Sequence, residues 1–81
     1  MASLNEIIPL VVAHASYYGQ TLSDEAVELQ AHDLADFKLG ALREAFRRYR
    51  ANPKHTRAPL PAQLREIIEP KIDARLKGHR V

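Results

Sequence analysis

The chain has 81 residues, no cysteine, and a formal net charge of +2. A single domain of this size buries only about 60–65% of the surface its unfolded chain exposes, so its core is thin. The missing cysteine excludes disulfides and a thiolate zinc site. Its longest apolar run, residues 7–13, contains Pro9 and falls far short of the ~20 residues that cross a bilayer. The first residues lack the positive charges of a secretory leader, so the expectation is a cytoplasmic protein without a membrane partner.

Charge divides the chain. Residues 1–36 hold six acids and no Lys or Arg, while residues 37–81 hold all 12 Lys and Arg against four acids. The halves carry −6 and +8. Such opposed patches either steer association with a complementary surface or neutralise each other within the fold.

Every segment reads as helix: period-2 alternation is missing, and Ala, Leu, Glu and Arg are abundant. The first helix is predicted over residues 4–18. Ser3 and Glu6 have capping-box spacing, Ile8, Val11, Val12, Ala15 and Tyr18 form the apolar stripe, Pro9 falls near the first turn, and Gly19 stops the helix. Ser23 caps a second helix that opens with Asp24 and Glu25 and ends near Leu34. Asp36 is the expected cap of a third helix over residues 37–51. There Leu39, Leu42, Ala45, Phe46 and Tyr49 face inward, Lys38, Arg43, Arg47 and Arg50 face outward, and Gly40 suggests close packing against a neighbour. Asn52-Pro53 breaks that helix, a cationic loop follows, and Pro61 opens a fourth helix through Leu64, Ile67 and Ile68. Pro70 kinks or ends it. Residues 1–70 make the helical domain, and residues 71–81 are a fifth helical segment through Ile72 and Leu76 or a frayed tail. The fold class is all-α, a compact bundle of four helices. Its predicted core is Ile8, Val11, Val12, Ala15, Val27, Leu34, Leu42, Ala45, Phe46, Tyr49, Leu64 and Ile68.

Catalytic groupings are sparse. His32-Asp33 with Asp36 superficially suggests a metal-dependent phosphohydrolase, but further ligands on other helices are missing from the pattern. His14, His32, His55 and His79 are scattered, the serines have no nucleophile-elbow setting, and no glycine-rich phosphate loop is present. The reading is therefore a non-enzyme without cofactor or metal.

The informative stretch is residues 45–68. Cations at Arg47, Arg48, Arg50, Lys54 and Arg57, with His55, alternate with apolar Phe46, Tyr49, Leu60, Leu64 and Ile67. These cations could neutralise phosphates, but Tyr49 falls on the apolar stripe with Phe46, which makes it core before it is a stacking platform. The plain reading is a solvated basic face; beside it stand nucleic-acid contact and a protein partner, the latter reached through Arg47, Arg48, Arg50, Lys54, Arg57, Arg65, Lys71 and Arg75. Of the adjacent Tyr17 and Tyr18, one should be buried and one exposed; Tyr18 is the expected interface anchor.

With these residues laid out, the chain resembles the small helical domain of phage replicative-helicase loader/inhibitor proteins. The likeness rests on a first helix ending Tyr17-Tyr18-Gly19, the short acidic helix after Ser23, the Ala- and Arg-rich helix after Asp36, and a proline-led helix running from Pro59 to Glu66-Ile67. It spans residues 7–68. The resemblance implies a protein that engages the host's hexameric replicative helicase, or its loader, and blocks or redirects loading and unwinding in the bacterial cytoplasm. Family members carry a longer C-terminal region implicated in helicase contact, whereas 12 residues follow Glu69 here, which favours inhibition over loading. Two alternatives stay open: a nucleic-acid-binding module using the third helix and its loop, and a phage inhibitor of another host complex.

Overall fold

A computed structural model describes residues 2–69, which form four helices and no strand. They are α1 (Leu4–Tyr17), α2 (Asp24–Asp33), α3 (Leu39–Ala51) and α4 (Pro61–Ile68). Helix α1 packs on α2 and α3 on α4, giving two helical hairpins that meet chiefly along an α1–α3 seam. The architecture is the expected all-α bundle. The proposed kink at Pro70 and the fifth segment lie outside the described residues.

Local chemistry explains the boundaries. At the start of α1 the Ser3 N–H and hydroxyl both donate to the Glu6 carboxylate at 3.1 Å, holding Glu6 below its ordinary pKa. Gly19 is the only positive-φ residue among those described, at 72°. It lets the chain turn so that the Gly19 N–H reaches the Ser16 carbonyl (2.9 Å) and the Gln20 N–H reaches that of Ala15 (2.7 Å). This is the paired closure of a Schellman motif, which needs a residue without a Cβ penalty at the left-handed position. Ser23 caps α2 as its sequence predicts, its Oγ accepting the Ala26 N–H at 3.1 Å.

Four expectations need correction. Helix α3 begins at Leu39 with Lys38 at the cap position, so Asp36 is not its cap. Residues 34–36 form a turn instead: the Phe37 N–H bonds back to the Leu34 carbonyl, Phe37 is buried as a plug, and Asp36 is freed to pair elsewhere. The buried face of α1 keeps the predicted Val11 and Ala15 but completes them with Ile7 and His14 in place of Ile8 and Val12. Val12 is consequently 45% exposed, and Ile8, like Ile68, packs only partly against the core. Gly40 marks no close approach, since a Cβ built there would meet nothing within 4 Å. Finally, Pro9 sits inside α1 rather than in its first turn. Its missing N–H removes the helical partner of the Asn5 carbonyl, and both residues face solvent, where water can replace that bond.

The core gathers Ile7, Val11, Val27, Ala31, Leu34, Phe37, Leu42, Ala45, Phe46 and Leu64. Tyr49 is buried beside it. No buried side-chain nitrogen or oxygen among the described residues lacks a hydrogen-bond partner. None of the helices described is long and apolar enough to cross a membrane.

Candidate docking corner and cleft

The cationic loop of residues 52–60 is tied down along its length. Asn52 opens it as an Asx turn, its Oδ1 accepting the Lys54 N–H at 3.0 Å, and the His55 N–H reaches the Asn52 carbonyl at 3.2 Å. Tyr49, at the last turn of α3, holds the loop twice. Its carbonyl accepts from His55 Nδ1 at 2.9 Å, and its hydroxyl donates to the Arg57 carbonyl at 2.8 Å. The two rings stack, with centroids 3.7 Å apart and planes inclined by 12°. Beyond them, the Ala58 N–H donates to Gln20 Oε1, and the Leu60 N–H donates to Gln63 Oε1 at 2.9 Å. The Schellman turn thus has a second effect: it delivers Gln20 from α1 to the loop across the seam.

Between the loop, the end of α1, α2 and the start of α4 lies an open cleft of about 410 Å³. Its walls combine the cations Lys54 and Arg57, the ring of His55, the amides of Gln20, Gln30 and Gln63, and an apolar strip of Leu22, Ala58, Pro59 and Leu60. No Asp or Glu lines it. His55 Nδ1 faces a carbonyl, which can only accept, so Nδ1 carries the proton and Nε2 of the neutral ring is left as an acceptor.

The structure separates the residues marked by sequence. Arg47 and Arg48 share one carboxylate: Arg47 Nη2 lies 2.6 Å, and Arg48 Nε 3.0 Å, from Glu44 Oε2. These hydrogen bonds hold the Glu44 carboxyl down to about 2. The outer face of α3 is therefore partly self-neutralised, which the sequence spacing of three and four residues permits. Arg50 turns the other way, lying 2.5 Å from His14 Nε2 across the α1–α3 seam. Lys54 and Arg57 form no ion pair among the described residues, and they stand together on the cleft.

Arg65 faces inward. Its guanidinium bonds both oxygens of Asp36 (3.3 and 3.4 Å) and the Asp33 carbonyl (3.0 Å), lies 3.5 Å from Glu69, and covers the Phe37 ring at 4.6 Å. It fastens α4 to the turn that precedes α3. Tyr18 is half-buried, edge-on to Tyr49 at 6.0 Å, and the exposed member of the tyrosine pair is Tyr17, at 66%. Lys71 and Arg75 lie outside the described residues. His32 and Asp33 end α2 exposed, and among the described residues no three His, Asp or Glu side chains gather as a metal site.

His14 and the glutamines escaped the sequence reading. His14 is buried, stacked on Phe46 at 4.1 Å, with Nδ1 bonded to the Leu10 carbonyl at 2.7 Å. Burial pushes its pKa down and the Arg50 charge adds to that, against the opposing Leu10 carbonyl. Its i+3 and i+7 spacing from Val11 and Ile7 was the available signal. Gln20 and Gln63 left no signal, because a surface glutamine has no periodic signature.

Comparison with protein families, with curated proteins and with solved structures finds no match for this chain.

Proposed function

We propose that this chain is a non-enzymatic, phage-derived adaptor or inhibitor that docks on the host replicative helicase, or on its loader, and blocks or redirects loading by occupying surface. The observation that carries the docking reading is the pinned cationic loop: Lys54 and Arg57 are presented without ion pairs on a segment anchored by Tyr49, Gln20 and Gln63. Ordering the loop before encounter lowers the entropic cost of binding. The helicase as target rests on the family resemblance of residues 7–68.

Nucleic-acid binding fares less well on the same geometry. That reading uses α3, where a strand would need an exposed aromatic face and uncompensated cations, but there Tyr49 is 4% exposed and Arg47 and Arg48 are paired with Glu44.

The test is size-exclusion chromatography with light scattering on the protein mixed with the hexameric replicative helicase near physiological salt. Co-migration that weakens in a Lys54→Glu/Arg57→Glu variant supports the reading. Separate peaks, with the helicase hexamer intact, refute it and leave another host complex as the target.

A further inference from the structure

We propose that the cleft under loop 52–60 is a recognition site for an acidic, aliphatic-containing peptide segment of a partner protein. This rests on the docking reading above and adds what the docking site recognises. Three features of the cleft carry it.

The first is charge. Lys54 and Arg57 line a concavity from which every carboxylate is excluded, and neither cation is paired. The acids nearest in sequence to the walls, Asp24, Glu28, Asp33 and Glu66, lie outside the lining, and Glu44 is engaged by Arg47 and Arg48.

The second is the polarity of the amides. A free glutamine offers an oxygen acceptor and two N–H donors. Here the oxygens of Gln20 and Gln63 are already taken by the backbone N–H groups of Ala58 and Leu60. Each keeps both N–H donors of its NH₂ for a ligand, while one of the two lone pairs of its oxygen is already used. Loop closure thereby fixes two amides in the donor orientation, and with the two cations they make the wall rich in donors. Ligands that match are acceptors: aspartate and glutamate side chains, and the carbonyls of an extended backbone.

The third is the apolar strip. Leu60 is 59% exposed although it precedes α4, and with Leu22, Ala58 and Pro59 it gives aliphatic side chains a place to rest between the donors. A phosphate backbone would use the donors but has nothing to place on this strip, and the cleft's aromatic residue, Tyr49, is closed off by its own stack with His55. That selects peptide over nucleic acid.

The test is a titration of the ¹⁵N-labelled full chain followed by NMR. One probe is an acetylated octapeptide amide of glutamate, aspartate and leucine. The controls are the same peptide with its acids replaced by glutamine, and an eight-nucleotide oligothymidylate. The expected result is saturable shifts in residues 54–60 and in the side-chain NH₂ groups of Gln20 and Gln63, seen only with the acidic peptide. A Lys54→Glu/Arg57→Glu variant should weaken binding by roughly tenfold or more. Gln63→Glu is the sharper variant: it keeps the oxygen that accepts the Leu60 N–H while deleting the donor, so it should lose affinity with the loop's own resonances little moved. Three results would each overturn the proposal: no shifts at millimolar peptide, peptide binding indifferent to all these variants, or tighter binding of the oligothymidylate at the same residues. Peptide binding without helicase co-migration would sink the helicase reading and leave the cleft standing, and the reverse would sink the cleft alone.

Discussion

Truncating Leu64 to alanine tests how the second hairpin is held together. Leu64 is 1% exposed and is the only buried residue of the eight-residue helix α4; Ile67 and Ile68 are half-buried. The substitution removes the aliphatic group that seats α4 in the common core. Large-to-small changes of this kind cost about 2–5 kcal/mol, the transfer free energy of the lost carbons plus a cavity term. Bulky Phe46 and Leu42, both fully buried, limit how far the site can collapse, so a value of about 3 kcal/mol is expected. A domain of this length has roughly 4–12 kcal/mol in all, so a large fraction of its stability is at stake. The contacts of Arg65 cannot make up the loss, because exposed ion pairs contribute about 0–1 kcal/mol each. Urea unfolding followed by far-UV circular dichroism would measure the change. A fall in midpoint with an unchanged denaturant slope means that α4 stays docked in a weakened native state, and a smaller slope means that α4 has already left it. A loss below about 1 kcal/mol with an unchanged slope would refute the reasoning, since it would place the weight of α4 packing elsewhere than on Leu64.

Gly40→Ala should stabilise the protein by about 0.4–1 kcal/mol, because its φ is ordinary and the added Cβ meets open space; thermal melting of the pair reads it, and a loss of stability would reveal a contact at that position. Tyr49→Phe deletes the hydroxyl that holds the Arg57 carbonyl. It should cost about 0.5–1.5 kcal/mol and accelerate hydrogen exchange at the Ala58 amide; unchanged exchange would mean that the loop is held without Tyr49. The pH profile has two windows. His14 has its pKa lowered in the fold, so the unfolded chain binds its proton more readily, and stability, full at neutral pH, declines as pH falls below the ordinary value of 6.5. Glu6, Asp36 and Glu44 are also held low, but as acids they lend stability that is present above their ordinary values, 4.5 for the glutamates and 3.8 for Asp36, and disappears on further acidification. A melting-temperature series should show the first decline vanish in His14→Leu while the second persists.

Much of the fold was legible because helix boundaries are written in short-range chemistry. Ser23 and Gly19 did what their side chains and backbone freedom prescribe, and Pro61 opened α4 where a missing N–H costs nothing. Asp36 misled for a comparable reason. It is a competent cap, but Phe37 gained more from burial as a plug than from joining the helix, and the turn it imposes moved the cap onward to Lys38. The stripe of α1 was right at Val11 and Ala15 and wrong at Ile8 and Val12, because Ile7-Ile8 and Val11-Val12 each offer two equally apolar neighbours and only the position of α2 and α3 selects between them. At the site, sequence marked the cations without distinguishing their fates. Glu44 lies within helical reach of Arg47 and Arg48, which a spacing rule can find. The attachments of Arg50 to His14 and of Arg65 to Asp36 cross 36 and 29 residues, and no local pattern encodes them.

The frontier between the acidic and basic halves of the chain falls after Asp36, which is also where the first hairpin hands over to the second. Among the described residues the first hairpin therefore carries six acids and no Lys or Arg, and the second, with α3, its loop and α4, eight Lys and Arg against three acids. A molecule built this way experiences a torque in the field of a charged surface before any atom touches it. It meets a negative surface with the side that carries Lys54 and Arg57 turned toward it more often than random tumbling would allow.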